Sequence, residues 1–262
     1  MKLSISNIAW PPESDKEVWQ LMKKHGYTGL EIAPTRIFPE SPYEKAKEAY
    51  VWSRQLRQNY GFTVPSMQSI WYGRQEMLFG TEEERHILME YTRKAIDFAV
   101  AVNCKNLVFG CPKNRNMPDG ANTEIAVTFF REAGDYAAAQ GTVIGLEANP
   151  PIYQTNFIND TIAAFELIRQ VNSEGFLLNL DTGTMIWNQE AVSELEGNIQ
   201  LINHVHISEP GLKPIEERAL HRELKAVLAQ EEYDGYLSIE MGKTEDISVL
   251  ESKLEYVRSI FQ

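Results

Sequence analysis

NHVHISEP, Asn203 to Pro210, reads as the end of a short strand, LINHVHI, running into a loop at Ser208, Glu209 and Pro210. Side chains alternate faces along a strand, so His204 and His206 point the same way, one layer apart. His206 lies nearer the carboxyl end. Burying two imidazoles is costly unless their nitrogens are satisfied. A hydrogen-bonded core histidine meets that need, and so does a ligand role. What favours the ligand role is that three other strands end in carboxylates in a matching way.

On the carboxyl side, YLSIEMGK reads as a strand ending at Glu240. A closing helix follows over Asp246 to Phe261, with Ile247, Leu250, Leu254 and Val257 inward. Just upstream, GFLLNLDTG ends at Asp181 and leads to a short helix around Glu190 to Glu196. Before it, TVIGLEANP ends at Glu147, and Asp160 starts a helix through Val171. The amino-terminal half repeats the pattern. LSISNIAW, Leu3 to Trp10, is a strand, and Ser14 with Glu17 reads as a capping box. YTGLEIAP places Glu31 near a second strand end, and a helix runs from Ser41-Pro42 to about Tyr60. FTVPSMQS, Phe62 to Ser69, is the third strand, ending near Gln68; its proline conflicts with a buried ladder. Thr81 with Glu84 opens a long helix. KNLVFGCP is the fourth strand, and Asn122 caps a helix to about Ala139. The last helix before YLSIEMGK spans Glu216 to Gln230.

Strand followed by helix, eight times over, predicts an α/β fold: a single closed (β/α)8 TIM barrel over residues 1–262. The rival, an open doubly wound sheet, would show a glycine-rich fingerprint after an early strand, and none is present. The length suits such a barrel, whose usual size is ~250 residues. With Lys plus Arg at 25 and Asp plus Glu at 37, the net charge of −12 argues against nucleic acid or an anionic membrane as partner. Cys104 and Cys111 form no framework or zinc-knuckle spacing, which suits the cytosol. MKLSISNIAW lacks a long apolar core, and no apolar run reaches membrane-spanning length. The expectation is a cytoplasmic protein; a homo-oligomer stays open.

Barrel active sites lie at the carboxyl ends of the strands. Four consecutive strands place Glu147, Asp181, His206 and Glu240 there. One rim acid is ordinarily a solvated side chain. Three acids converging on one mouth repel one another unless a cation sits among them. Three carboxylates and an imidazole suit one divalent metal, Mn²⁺ or Mg²⁺, with Co²⁺ or Zn²⁺ also compatible. Two residues back lie Gly145, Asn179, His204 and Ser238, small or polar where a barrel core prefers branched aliphatics. Asn179, His204 and Ser238 are therefore candidates to orient the ligands from behind, the alternative being satisfied core polar groups.

At GLEANP, NLDTGTM, HVHISEP and LSIEMGK, with GLEIAP near the start, the chain resembles the xylose isomerase-like barrels. These include sugar and sugar-phosphate isomerases and epimerases, inosose dehydratases and the endonuclease IV group. The ketose 3-epimerase pattern is the nearest. The resemblance implies one divalent metal on Glu147, Asp181, His206 and Glu240, with Glu147 and Glu240 as the catalytic acid and base. It further implies a carbohydrate isomerase or epimerase working through a metal-stabilised enediolate on a sugar or sugar phosphate. A sugar or cyclitol dehydratase using the same carboxylates, or a non-catalytic sugar-binding barrel, are the alternatives.

The substrate side departs from that pattern. Where the epimerases place a histidine after the metal aspartate, this chain has Thr184; where they place an arginine, it has Leu212 with Lys213 beside it. Glu209 matches the acid of that loop. The endonuclease group needs histidines where this chain has Gln68 and Cys111. The substrate-binding candidates are Glu209, Lys213, Lys113, Trp10 and Gln68, with Arg115, Trp71 and Trp187 also near the mouth. GKTED, Gly242 to Asp246, opens a helix whose amides, with Lys243, could cradle a phosphate.

Overall fold

A computed structural model describes all of residues 1–262. Seven parallel strands are present: β1 Lys2–Ser6, β2 Gly29–Glu31, β3 Leu107–Phe109, β4 Ile144–Leu146, β5 Phe176–Asp181, β6 Ile202–Ser208 and β7 Tyr236–Glu240. They pair in the order β2-β1-β7-β6-β5-β4-β3. The expected third strand closes the ring without forming a regular ladder. Thr63 bridges Gly29, and Met67 bridges both Ile32 and Leu107, all in parallel. Pro65 has no N–H to donate, so the pairing survives only at isolated points on either side of it. The result is a TIM-barrel-like α/β fold with a curled parallel sheet inside and helices outside.

The longer outer helices are α1 Asp15–Lys24, α3 Ala46–Tyr60, α4 Glu82–Ala101, α5 Glu124–Ala139, α6 Thr161–Val171, α8 Ala219–Gln230 and α9 Ile247–Phe261; α2 Pro34–Ile37 and α7 Thr182–Asn188 are short. The capping box at Thr81 and Glu84 forms with both of its hydrogen bonds. Asp160 and Asp246 cap α6 and α9 through their side chains. Ser14 makes no cap, and Asp15 instead accepts from the Trp10 indole at 2.8 Å. The helix expected around Glu190 to Glu196 is only a 3₁₀ turn over Val192–Leu195. A true helix, α7, starts directly after Asp181, whose carboxylate accepts from the Thr184 amide.

One apolar cluster fills the space between sheet and helices, from Leu3 in β1 to Phe261 in α9. The inward face of α9 is as expected for Leu250, Leu254 and Val257, which are buried; Ile247 is partly buried. No helix is long and apolar enough to cross a membrane.

Candidate metal centre

Glu147, Asp181, His206 and Glu240 converge at the carboxyl mouth of the barrel. Each offers one ligand atom, and the four atoms lie within 4.8 Å of one another. Parallel pairing accounts for this. Asp181 stands opposite His206 in the β5–β6 register, and His206 stands opposite Ser238, two residues before Glu240. His206 Nδ1 is buried and makes no hydrogen bond, yet it lies 2.9 Å from Glu147 Oε1 and 3.3 Å from Glu240 Oε2. Its other nitrogen meets Glu31 Oε2 at 3.0 Å. An acceptor there holds the ring proton on Nε2 and leaves the Nδ1 lone pair facing the acids, as a metal ligand requires. An orphaned imidazole nitrogen among three carboxylates is a donor set that fits a divalent cation.

A polar layer beneath holds these groups in place. Asn179, fully buried, donates to Glu147 Oε1 at 2.9 Å and accepts from Asn106 at 3.1 Å. Asn106 also donates to Ser66 at 3.0 Å, so the third-strand segment joins the same chain of bonds. Gly145 leaves room for it: a Cβ there would collide with Asn106 Oδ1. Asn149 donates to Glu147 Oε2 at 3.1 Å, and Gln68 donates to Glu240 Oε1 at 3.1 Å while accepting from Ser6 at 2.5 Å. Asp181 is held by the Thr184 amide and hydroxyl and by the Ser208 hydroxyl. His204 Nε2 lies 3.1 Å from Glu31 Oε2. Ser238 is buried, but its hydroxyl has no hydrogen-bond partner.

The electrostatics match a site built around positive charge. Burial, then the Glu147 and Glu240 charges, push the Asp181 carboxyl up to about 7. Burial also raises Glu240, against the pull of His206. Burial would lower His206, but Glu31 and Glu240 reverse this and hold it well above its ordinary value. Burial leaves His204 lowered, despite Glu31. Burial alone would raise Glu31; the His206 and His204 imidazoles hold it far below the usual carboxylate range.

These shifts set a pH dependence for the metal-free protein. Asp181 keeps its proton in the folded state to about 7, while the unfolded chain releases it near ~3.9. The stability it contributes is complete below ~3.9 and lost as pH rises through about 7. The raised His206 and Glu240 act in the same direction, the lowered His204 and His221 oppose them only below about their unfolded ~6.5, and Glu31's contribution is already complete above ~4.3. Urea unfolding in chelator is therefore expected to show lower stability at about pH 8 than at about pH 6.5, a window above most of the titration of the lowered His204 and His221, with added Mn²⁺ flattening the difference. Equal or greater stability at the higher pH in chelator would contradict this charge balance.

A cavity of ≈ 190 Å³ opens over the three carboxylates. Glu147, Asp181 and Glu240 line it, and so do Gln68, Cys111 and Leu212. The other substrate-side candidates lie elsewhere. Trp10 is 1% exposed, with its N–H given to Asp15 and its ring under the Arg36 guanidinium. Glu209 is buried and turned outward, where Arg218 binds both its oxygens at 2.7 and 2.6 Å. Lys113 and Lys213 are exposed and outside the lining. Trp71 is buried on Thr92, and Trp187 is half exposed on α7. Proximity to a strand end sets a residue's layer, whereas the turn that follows sets its direction.

Sequence reasoning left Glu31, Asn106, Asn149 and Tyr153 out of the site. Glu31 had a signal, since it ends its strand as the other acids do. Asn149 lies within GLEANP, two residues after Glu147. Tyr153 reaches the cavity wall from a 3₁₀ turn, and its hydroxyl accepts from the Gly211 amide at 2.9 Å; spacing does not disclose that tie.

The architecture matches known proteins along nearly the whole chain. A 3-keto-D-glucoside 4-epimerase from E. coli is 20% identical with a TM-score of 0.76, covering 99% of both chains. A D-psicose 3-epimerase from Clostridium cellulolyticum H10, solved with D-tagatose, is 17% identical with a TM-score of 0.77, covering 100% of both. A family 2 AP endonuclease from Brucella melitensis is 20% identical with a TM-score of 0.72, covering 98% of both. At these identities the likeness is one of fold. No curated protein matches the sequence. Residues 19–260 match the family described as xylose isomerase-like TIM barrel, and the chain belongs to that family.

Proposed function

We propose that this chain is a divalent-metal-dependent isomerase or epimerase of a sugar, with Glu147 and Glu240 as the paired acid and base. One observation carries the reading. Glu147 on the loop after β4 and Glu240 on β7 reach the same His206 nitrogen from two strands, at 2.9 and 3.3 Å, beside a small cavity. Mn²⁺ or Mg²⁺ held by Glu147, Asp181, His206 and Glu240 would supply Lewis-acid polarisation of a substrate carbonyl. The protein's own part is to position two carboxylates and move one proton. Asn179 and Asn149 fix both oxygens of Glu147, and Gln68 fixes Oε1 of Glu240, so each carboxylate keeps a defined aim. One glutamate takes the proton beside the carbonyl, and the other returns a proton to the opposite face or the neighbouring carbon. The sugar epimerases among the structural neighbours support this reading. The net charge of −12 and an acidic mouth, with Gln68 and Cys111 where the endonuclease group needs histidines, support a sugar over DNA.

Turnover in ²H₂O tests it. Metal-loaded protein is expected to place solvent deuterium beside the carbonyl of a ketose, and EDTA to stop this until metal is restored. A product lighter by one water would mark a dehydratase. Sugar binding by the metal-loaded protein without exchange would mark a binding barrel. Either result would overturn the proposal.

A further inference from the structure

Granting the isomerase reading above, we infer that the substrate is an uncharged ketose of monosaccharide size and not a sugar phosphate. Four features of the mouth converge on this. The cavity of ≈ 190 Å³ lies below the ~300–1,000 Å³ of pockets for drug-sized ligands, which suits one small sugar. Its lining holds three carboxylates and no lysine or arginine. The polar groups that could meet hydroxyls, Gln68, Ser69, Asn149 and Tyr153, are neutral. Leu212 closes one wall with an apolar side chain.

The usual phosphate cradle of this architecture is already filled. In such barrels a phosphate rests on the last loops and the amino terminus of a following helix. Here the Gly242 amide donates to Leu212 O at 2.7 Å, and the Thr244 amide to Ala9 O at 3.0 Å. The Asp246 amide donates to Thr244 Oγ1 at 3.2 Å, and the Ser248 amide to Asp246 Oδ1 at 3.0 Å. The cap of α9 is therefore itself an anion, the Asp246 carboxylate, and the loop read from sequence as a cradle has spent these donors internally.

The nearby cations do not supply a replacement. Arg115 is fully buried, with Nη1 on the Glu147 carbonyl at 2.9 Å and Nη2 on the Ile158 carbonyl at 3.3 Å. Its Nε alone lacks a partner, and the side chain stays outside the cavity lining. Lys113, Lys213 and Lys243 are exposed, where solvent and salt screen their pull. A phosphate dianion entering this mouth would meet three carboxylates whose charge a single divalent ion does not fully offset, with no side-chain cation in the lining to add to it.

The test pairs each free ketose with its phosphate ester on the metal-loaded protein: D-fructose with D-fructose 6-phosphate, D-ribulose with D-ribulose 5-phosphate, D-xylulose with D-xylulose 5-phosphate. Deuterium incorporation is read by NMR and binding by calorimetry. At least one free ketose is expected to exchange, at least about 100-fold faster than its ester. An ester that exchanges or binds as well as its free partner overturns the inference and leaves the isomerase reading standing. Free ketoses that bind more tightly than their esters but never exchange overturn that reading and leave the charge selectivity intact. Binding of neither kind overturns both. Leu212→Arg adds a cation to the wall and is expected to narrow the gap at least tenfold. An unchanged gap in a folded variant would overturn the charge argument.

Discussion

Glu240→Gln is expected to retain the fold and lose solvent deuterium incorporation by roughly 10²–10⁴-fold, the usual contribution of a positioned acid or base. The geometry makes this the cleanest substitution at the site. Glu240 Oε1 accepts from Gln68, and Oε2 faces the unpartnered His206 Nδ1. In the metal-loaded protein, where His206 is neutral, a glutamine keeps the side-chain volume and an oxygen for Gln68. Metal binding by Glu240→Gln is expected to weaken, since the variant offers the cation one carboxylate fewer. Glu147→Gln is a poorer probe. Both Glu147 oxygens accept amide hydrogens, from Asn179 and Asn149, so a glutamine would set donor against donor at a cost of about 1–3 kcal/mol. Exchange by Glu240→Gln within a few-fold of the native rate would remove Glu240 from proton transfer.

The rim acids and the barrel were legible for one reason. In a parallel barrel, strand order fixes the ring, and the carboxyl end of every strand faces one mouth, so position along the chain becomes position in space. Where that translation fails, spacing misleads. Pro65 turned a ladder into isolated bridges. Asp181, read only as a rim acid, also caps α7, because an Asp followed by Thr-Gly-Thr is a helix start as well as a strand end. Glu209 sits where a substrate contact was expected, yet Arg218, nine residues on, draws its carboxylate outward. Glu31 showed its place at a strand end in the sequence, but its partners did not show, for a different cause. β2 and β6 are not neighbours in the sheet, and their side chains meet only across the barrel interior. Sequence distance carries no information about that diagonal.

Glu31 should be the most costly residue to lose from the barrel interior. It is fully buried, and one oxygen serves both His204 at 3.1 Å and His206 at 3.0 Å. Glu31→Leu leaves two imidazoles buried without their anion, and His206, protonated in the metal-free protein, without its main compensating charge. Breaking a buried pair by removing one partner costs about 3–5 kcal/mol. Urea unfolding in chelator is expected to show a loss of that order. Glu31→Gln keeps an acceptor and the volume, and should cost roughly 1–3 kcal/mol. Metal affinity should fall about 10–100-fold in Glu31→Leu, because nothing then holds the His206 ring proton on Nε2. Acid supplies an independent check. Glu31 has a depressed folded-state value, so its stabilisation is complete above ~4.3 and fades as pH falls toward that value. The gap between native protein and Glu31→Gln should therefore shrink on acidification below about pH 4. A gap that stays constant, or a Glu31→Leu variant with native unfolding and native metal affinity, would mean that the buried carboxylate neither compensates the imidazoles nor aims His206 at the mouth.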